Sequence, residues 1–322
     1  HDRVDSIDAD RRSLRLAGGA DLSWDRLIVS PGIDIRWDAI EGYGPEAAEV
    51  MPHAWKAGAQ TALLRDQLQA MDDGGVVLMT IPQNPYRCPP GPYERASLIA
   101  HYLKTRKPRS KLILLDAKDR FSKQALFQEA WAALYPDHLE WVPFAQNGNL
   151  LRVDPATRTV QTEFGRMQGD VVNVIPPQRA GALAVTSGLT GGQDWCEVDQ
   201  ASFAARALPG VHVLGDAAIA GAMPKSAFSA TAQAKLCAAA IVADLSGTAV
   251  PEALLVNTCY SLVAPDWGIS VADVFRIGAD GTLVAVEGAG GISPLAQDAG
   301  FRQREAGYAR SWFANMTADT WG

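Results

Sequence analysis

The sequence predicts an α/β fold in which strands and helices alternate around parallel sheets. The run 76–80 is continuously apolar, a helical pattern follows at about 93–104, and 111–116 is a second apolar run. This order of strand, loop, helix and strand is that of a βαβ unit. Two further apolar runs, 25–32 and 211–216, each end in residues typical of turns, as buried strands of such sheets do.

The remaining elements follow from periodicity and from helix stop signals. The first 34 residues alternate as short strands, and Gly74 ends a helical pattern that begins near Ala54. A long helix is expected from about Ser226 to Leu245, closed by Gly247. From Pro251 onward we expect short strands with glycine-rich turns and an aromatic tail, as a separate C-terminal domain. Between these parts the sequence predicts a helix at 123–134 and strands at 139–144, 150–154, 159–162 and 171–175.

Composition excludes several classes of function. With 322 residues, of which 48% are hydrophobic and 20% charged, the chain is long enough for two or three domains. The net charge of −7, without long runs of one sign, argues against nucleic acid or anionic membranes as partners. No stretch reaches the roughly 18 to 20 uninterrupted apolar residues that span a bilayer, so we expect no membrane span. The start at His1, without a signal-peptide pattern, suggests a processed or truncated chain.

The four cysteines point to redox chemistry rather than to metal binding. No CxxC pair or Cys/His cluster predicts a metal site, and no CxxCH predicts covalent haem. Cys196 and Cys237 lie in apolar surroundings and are expected to be inert thiols. Cys88 and Cys259 are far apart in the chain, so any contact between them would have to be made by the fold.

Cys88 lies in the loop of the βαβ unit. That loop, 81–92, has five prolines where a nucleotide-binding unit would have glycines, and proline offers no N–H to a phosphate, so we do not expect this unit to bind NAD. Cys88 precedes a helix N-terminus, where the helix dipole favours a thiolate, and Glu94 in the first turn is a candidate proton shuttle. The alternative is that Cys88 is a small buried hydrophobe and Glu94 an ordinary helix carboxylate.

The candidate cofactor contacts lie at turns that follow strands and at a helix start. A carboxylate after a buried strand could hold a cofactor's polyol, and a helix N-terminus could face an anionic ring edge, although an ordinary turn and a solvated lysine are the alternatives. For Trp55, packing in the core is the main expectation and contact with a cofactor is the alternative. Trp312 or Trp321 could cover a flavin. The candidates are Pro31, Gly32, Trp55, Gly215, Asp216, Lys225 and Ser226.

These residues together resemble the flavoprotein subunit of flavocytochrome c sulfide dehydrogenase, in the disulfide-reductase-like flavoprotein class that also contains sulfide:quinone oxidoreductase. The runs CPPGPYER and NTCYS are specific to the resemblance, whereas GDA is shared by many flavoproteins. The matching segments span nearly the whole chain: 52–58, 86–96, 213–217, 223–226 and 257–262.

The resemblance implies a Rossmann-like FAD/NAD-linked reductase fold, truncated at its N-terminus, with a C-terminal α+β interface domain. The family's first strand, its FAD-binding GxGxxG and the cysteine that tethers FAD all precede the point where this sequence begins. The implied domains are 1–72 as the remainder of the FAD-binding domain, 73–185 as a second Rossmann-like domain, 186–250 as the return segment of the FAD-binding domain, and 251–322 as the interface domain.

The resemblance also implies a function. Cys88 and Cys259 would form a redox-active disulfide beside FAD, and Glu94 would be the acid/base. Sulfide would be the substrate, a c-type cytochrome on another chain would take the electrons, and the location would be periplasmic. Two alternatives stay open. One is a sulfide:quinone oxidoreductase, which would need an apolar C-terminal tail to dock on a membrane. The other is an FAD-free binding module that docks a cytochrome and in which the two cysteines form a structural disulfide.

Overall fold

The computed structural model describes residues 1–250 and 252–322, so the predicted domain start at Pro251 lies outside the described residues. By their contacts the described residues form two compact units, each assembled from three stretches of chain. The first unit comprises His1–Ile35, Gln178–Cys259 and Ala272–Gly291, and the second comprises Arg36–Pro177, Tyr260–Val271 and Ile292–Gly322. The domain limits expected from the sequence stay predictions.

The elements up to residue 177 follow one another in this order: β1 Val4–Asp8, β2 Ser13–Leu16, β3 Asp21–Ser23, β4 Leu27–Val29, β5 Ile33–Ile35, α1 Pro45–Ala48, α2 Ala59–Ala70, β6 Val76–Ile81, α3 Gly91–Arg106, β7 Lys111–Asp116, α4 Gln124–Leu134, β8 Leu139–Val142, α5 Phe144–Asn147, β9 Leu150–Asp154, β10 Thr159–Thr162, β11 Arg166–Gln168 and β12 Val171–Val174. The rest of the chain adds β13 Gln178–Ala180, α6 Ala182–Thr186, β14 Val211–Val213, a 3-10 turn Gly215–Ala217, α7 Ala227–Ser246, β15 Leu254–Ala264, β16 Trp267–Ile277, β17 Leu283–Ala285, β18 Gly291–Ile292 and α8 Ala299–Trp321.

The second unit is built on a four-stranded parallel sheet in the order β12-β6-β7-β8. Its strands are almost continuously apolar, as expected of parallel strands that are buried on both faces. The predicted βαβ unit is confirmed as β6, α3 and β7. On one side of the sheet a hydrophobic cluster includes Ile40, Tyr43 and Met51, packed against Leu78 and Val172 of the sheet. Strands β9, β10 and β11 form a separate antiparallel sheet of this unit.

A buried carboxylate ends β7. The Asp116 side chain is 0% exposed and accepts hydrogen bonds from the Tyr93 hydroxyl at 2.7 Å and the Trp141 indole at 3.1 Å. The Lys118 ammonium lies 2.7 Å from the same carboxylate and also donates to the Pro82 carbonyl. Burial lowers the pKa of Lys118, while the charge of Asp116 opposes that shift. The carboxyl end of the strand is therefore satisfied by its own unit.

The first unit contains a parallel pair, β4 with β14, whose carboxyl ends lie side by side. β5 pairs antiparallel with β13, and the three N-terminal strands form a meander in the order β1-β2-β3. The long helix α7 begins at an N-cap serine, Ser226, whose hydroxyl accepts from the Ser229 N–H at 3.0 Å. It ends at Gly247, which has the left-handed backbone conformation that favours glycine.

Helix α7 is the described helix that is long and apolar enough to cross a membrane by length and composition alone, with a mean hydropathy of 1.2. It carries Lys235 and Asp244, and part of its surface, including Gln233, Leu236 and Cys237, is buried within the first unit. Core helices of folded domains pass the same composition test. The expectation that the chain has no membrane span stays a prediction.

The C-terminal region differs from the expectation of short strands with glycine-rich turns and an aromatic tail. β15 and β16 are each eleven residues long and neighbour one another in a sheet with β17, and the aromatic tail is the 23-residue helix α8. The helical pattern of α8 is weak because polar and apolar residues mix around it. The helix is held in the second unit by buried Arg302, which pairs with Glu129 at 3.0 Å, and by Glu305, which accepts from Ser270 at 2.9 Å.

Candidate active site

Cys88 lies in the loop between β6 and α3, in the second unit. It adopts a left-handed backbone conformation with φ 57°, which is uncommon for residues other than glycine, and its side chain is half-buried. Its carbonyl accepts from the Gly91 N–H at 2.8 Å. A Cβ added at Gly91 would lie 2.9 Å from the Cys88 sulfur and 3.1 Å from the Trp55 ring. The first helical residue of α3 must therefore be very small to admit the sulfur and the indole.

Two arginines surround Trp55. The Arg95 guanidinium lies 4.8 Å from the centre of the Trp55 ring and donates to the carbonyls of His53 and Ala54. Arg87 donates to the Trp55 carbonyl. Burial lowers the pKa of Arg95 to about 10, although its interaction with Cys88 acts in the opposite direction. This positive charge favours a thiolate at Cys88.

The Glu94 side chain contacts the part of β15 that belongs to the same unit. Its carboxylate accepts from the Leu262 N–H at 2.8 Å. The Lys123 ammonium lies 2.8 Å from the hydroxyl oxygen of Ser261, the residue before Leu262. Burial raises the pKa of Glu94, and the Leu262 amide, Lys123 and Ser261 each lower it, in that order of size. These three partners thus oppose the effect of desolvation on the half-buried Glu94 carboxyl.

Cys259 lies on β15 at the edge of the first unit and is part of a polar network. The Asn257 amide nitrogen lies 3.4 Å from the Cys259 sulfur. The Asn257 amide oxygen accepts from the hydroxyls of Ser226, at 2.6 Å, and Ser229, at 3.1 Å. All four side chains are buried. The network therefore ties the sulfur to the N-terminus of α7. The pairing of Cys88 with Cys259 stays a prediction.

The predicted cofactor contacts of the first unit come together at the carboxyl ends of β4 and β14. Pro31 and Gly32 follow β4, and Gly215 and Asp216 follow β14. Gly215 has φ 73°, and a Cβ there would lie 3.2 Å from the Ser30 hydroxyl, so a side chain would be both strained and crowded. Asp216 is half-buried on the 3-10 turn.

Lys225 connects that turn to the start of α7. Its ammonium donates to the carbonyls of Asp216, at 2.8 Å, and Ala218, at 2.9 Å, and lies 3.9 Å from the centre of the Trp195 ring. Burial lowers the pKa of Lys225 to about 8, against the attraction of Asp216 and Cys196. Burial likewise raises the pKa of Cys196 to about 11. Lys225 is thus a structural cation at this turn, and its direct contact with a cofactor stays a prediction.

These residues fit a flavin cofactor on three observations. At the carboxyl ends of the parallel strands β4 and β14 lie Gly215, in a left-handed conformation that favours glycine, and the half-buried carboxylate of Asp216. Doubly wound sheets bind nucleotides at this end of their strands. The N-terminus of α7, beside this turn, presents its positive dipole end. In the second unit, the buried Trp55 indole nitrogen has no hydrogen-bond partner among the described residues. Trp55 remains a candidate contact there.

Sequence reasoning missed Lys123, Asn257 and Ser261 as site residues. Lys123 could have been noticed in the sequence, because its positive charge at the predicted start of a helix is unfavourable next to the helix dipole. Asn257 and Ser261 are polar residues at alternate positions on the buried side of β15, which is unusual within a run such as Val256 to Val263. No group of three or more His, Cys, Asp or Glu side chains suited to a metal ion occurs within 1–250 and 252–322.

Comparison with known proteins agrees with this geometry. The model "Sulfide dehydrogenase [flavocytochrome c] flavoprotein chain, central" matches residues 61–176. The model "Flavocytochrome c sulphide dehydrogenase, flavin-binding" matches residues 251–321. Together they cover more than half of the chain. Mitochondrial sulfide:quinone oxidoreductase from Mus musculus is 23% identical over 235 residues, which is 67% of this chain and 49% of that protein. The chain thus spans about half the length of this curated relative.

Solved structures show the same fold. The sulfide:quinone oxidoreductase of Aquifex aeolicus superposes with a TM-score of 0.67 at 15% identity, over 97% of this chain and 73% of that chain. Putidaredoxin reductase, in its covalent complex with putidaredoxin, superposes with a TM-score of 0.62 at 15% identity, over 95% of this chain and 75% of that chain.

The fold is therefore a Rossmann-like reductase fold of the FAD/NAD-linked kind, as the sequence predicted. The match to the flavin-binding family model makes the protein a flavoprotein, with FAD as its cofactor. The two family matches narrow this class. The chain belongs to the family of flavocytochrome c sulfide dehydrogenase flavoprotein chains.

Proposed function

We propose that this chain is the flavoprotein of a sulfide-oxidising oxidoreductase that passes electrons to a c-type cytochrome in the periplasm. The observation that carries the proposal is the setting of Cys88. It lies beside Arg95 and Trp55 in the part of the chain that matches the central family model, and the half-buried Glu94 follows three residues beyond Gly91. The second thiol, Cys259, lies in the flavin-binding part.

The proposed chemistry begins with a disulfide between Cys88 and Cys259. Hydrosulfide attacks one of the two sulfurs, so that a new S–S bond forms and the old one breaks. The attacked sulfur becomes a persulfide, and the electron pair leaves on the other sulfur as a thiolate. Glu94 accepts the proton that the hydrosulfide loses. FAD, when bound, supplies the capacity to take two electrons from the thiolate and to release them singly to haem.

Residues of this chain would stabilise both cysteine sulfurs in that step and hold the flavin. Arg95 and the helix start of α3 stabilise negative charge at Cys88. Asn257 donates to the Cys259 sulfur and would stabilise negative charge there as well. Gly215, Asp216 and the N-terminus of α7 would hold the flavin.

A visible spectrum of the purified protein, recorded before and after anaerobic addition of sulfide, tests the proposal. A yellow protein whose flavin absorption bleaches with sulfide supports it. A yellow protein that sulfide does not bleach contradicts the activity. A colourless protein that still captures a c-type cytochrome supports the binding-module alternative instead.

A quinone-reducing sulfide oxidase is the second candidate, because of the similarity to two sulfide:quinone oxidoreductases. The two functions share the first half of the reaction and differ in the acceptor. Reoxidation of the sulfide-reduced protein by cytochrome c but not by a soluble quinone supports the main proposal, and the reverse result supports the quinone reductase. The mixed polarity of α8, with Arg304, Arg310 and Asp319 among its aromatic residues, favours the cytochrome.

A further inference from the structure

Lys123 combines three features that each disfavour a lysine. Its side chain is only 4% exposed, although burial of an ammonium is costly. It occupies the N-cap position of α4 without a capping hydrogen bond, where a positive charge opposes the helix dipole. Its backbone is left-handed, with φ 61°, a conformation that asparagine or glycine would adopt more easily. A residue that breaks local rules in this way marks a functional constraint.

The ammonium of Lys123 is directed at β15. It donates to the Ser261 hydroxyl oxygen at 2.8 Å and lies 5.8 Å from the centre of the Phe127 ring. Ser261 is fully buried. A serine hydroxyl that accepts from an ammonium keeps its own proton for one further bond. The group that this hydroxyl affects is the Glu94 carboxyl, because Ser261 lowers the pKa of Glu94, and the next residue, Leu262, donates to the same carboxylate at 2.8 Å.

The Glu94 carboxyl is thus reached by two elements outside its own helix. β15 contributes two neutral donors, the Ser261 hydroxyl and the Leu262 amide, and α4 contributes the charged Lys123 behind Ser261. On α3 itself the neighbouring Arg95 is directed to the carbonyls of His53 and Ala54. Lys123 is therefore the cation that compensates the charge of Glu94.

We propose that Lys123, acting through Ser261, is the positioning residue of the Glu94 acid/base, and that this Lys123–Ser261–Glu94 chain favours the ionised form of Glu94 and orients it to accept a proton. The proposal deepens the proposed function and rests on it only for the role of Glu94. It accounts for a buried lysine at an unfavourable helix position, because the hydroxyl bridge and the carboxylate satisfy its charge.

The test is a ¹³C NMR titration of the Glu94 carboxyl in protein labelled at glutamate, with Glu94→Gln to assign the signal. Removal of a cation within about 4 to 6 Å of a carboxylate raises its pKa by roughly 1 to 3 units, so Lys123→Met should raise the pKa of Glu94 by about one unit or more. Lys123→Arg retains the charge and should leave the pKa of Glu94 within about half a unit of the wild-type value.

Two further variants separate charge from folding. Lys104→Met removes an exposed ammonium from the same helix as Glu94 and should leave the titration unchanged. Ser261→Ala removes the bridging hydroxyl but keeps Lys123, and it should also raise the pKa of Glu94. If Lys123→Met does not fold, the titration of Ser261→Ala tests the proposal in its place. The proposal is overturned if both Lys123→Met and Ser261→Ala titrate as the wild type does, or if Lys123→Arg shifts the pKa as far as Lys123→Met.

The titration requires neither sulfide nor flavin turnover. A protein that fails to react with sulfide can therefore still show the shift, and the proposed function would then fail while the Lys123–Ser261–Glu94 chain stands. Conversely, a protein that sulfide bleaches normally but whose Glu94 titrates independently of Lys123 would retain the function and lose this inference.

Discussion

The amide nitrogen of Asn257 lies 3.4 Å from the sulfur of Cys259, and its orientation is set by two serine hydroxyls at the start of α7. Because both hydroxyls donate to the amide oxygen, the nitrogen is left to face the sulfur. The Cys259 sulfur also lies 3.7 Å from the amide oxygen, so the asparagine contacts it through both ends of its amide group.

The first prediction concerns this contact. Asn257→Asp keeps an acceptor for Ser226 and Ser229 but replaces the donor beside Cys259 with a negative charge, which disfavours a thiolate. In the reduced protein, the pH at which Cys259 is half-alkylated by iodoacetamide should rise by about one unit or more, as measured by mass spectrometry. Thr258→Val, at the neighbouring position of the strand, should leave this pH unchanged. Equal alkylation profiles for Asn257→Asp and the wild type would contradict the contact's role.

The second prediction separates the redox role of Cys88 from flavin binding. Cys88→Ser should abolish bleaching by sulfide and leave the resting flavin spectrum largely intact, because the serine hydroxyl cannot form the disulfide. Cys237→Ser is the matched control, since Cys237 is buried within α7 of the first unit, and it should bleach as the wild type does. If Cys88→Ser is reduced at the wild-type rate, the thiol mechanism is wrong.

The third prediction concerns the space around the Cys88 sulfur. Gly91→Ala would place a methyl group 2.9 Å from that sulfur and 3.1 Å from the Trp55 ring. Overpacking of this kind costs about 1 to 3 kcal/mol, so the variant should unfold at lower urea concentration and react more slowly with sulfide. Gly165→Ala, where a Cβ meets nothing within 4 Å, should change neither property. A Gly91→Ala protein with wild-type stability and reactivity would show that the loop can move aside.

The fourth prediction is a pH dependence of stability that comes from Lys225. Burial lowers its pKa to about 8 in the folded protein from the ordinary value of 10.5. Between these two pH values the unfolded chain binds more protons than the folded chain, so the free energy of unfolding rises with pH in this window. Relative to a Lys225→Met variant, the wild type should therefore gain stability as the pH increases from about 8 to 10.5.

Urea unfolding of both proteins at several pH values measures this difference. The buried thiols of Cys196 and Cys237 act in the opposite direction above pH 9.0, because burial raises the pKa of each to about 11 and the folded chain then retains protons that the unfolded chain has lost. Both proteins contain these thiols, so most of their contribution cancels in the comparison. A constant difference between wild type and variant from pH 8 to 10.5 would show that Lys225 keeps an ordinary pKa.

The fold could be predicted from the sequence where burial produces continuous apolar runs. Strand β7 lies at 111–116 as expected, and helices α3, α4 and α7 begin and end within about two residues of their predicted limits. The C-terminal region could not be predicted in this way. Helix α8 packs through a buried ion pair of Arg302 with Glu129 rather than through an apolar stripe, so its sequence lacks the helical periodicity of hydrophobic residues.

Residues of the candidate site could be predicted from the sequence where the residue type itself indicates a chemical role. Cys88, Glu94 and the Gly215 turn stand out by type and by position relative to a strand or helix. Lys123, Ser261 and Asn257 do not, because their roles depend on hydrogen bonds to residues that are distant in the chain. One-dimensional patterns carry no information on such pairings.

The buried carboxylate of Asp116 has a consequence for what the second unit can host. In dinucleotide-binding folds, an acidic residue about this far beyond the first strand anchors a ribose hydroxyl. Here Tyr93, Trp141 and Lys118 already saturate that acid. A visiting nucleotide would have to break an internal ion pair to gain its anchor. The position where such folds bind a ribose is thus occupied by side chains of the same unit that carries the Cys88 loop.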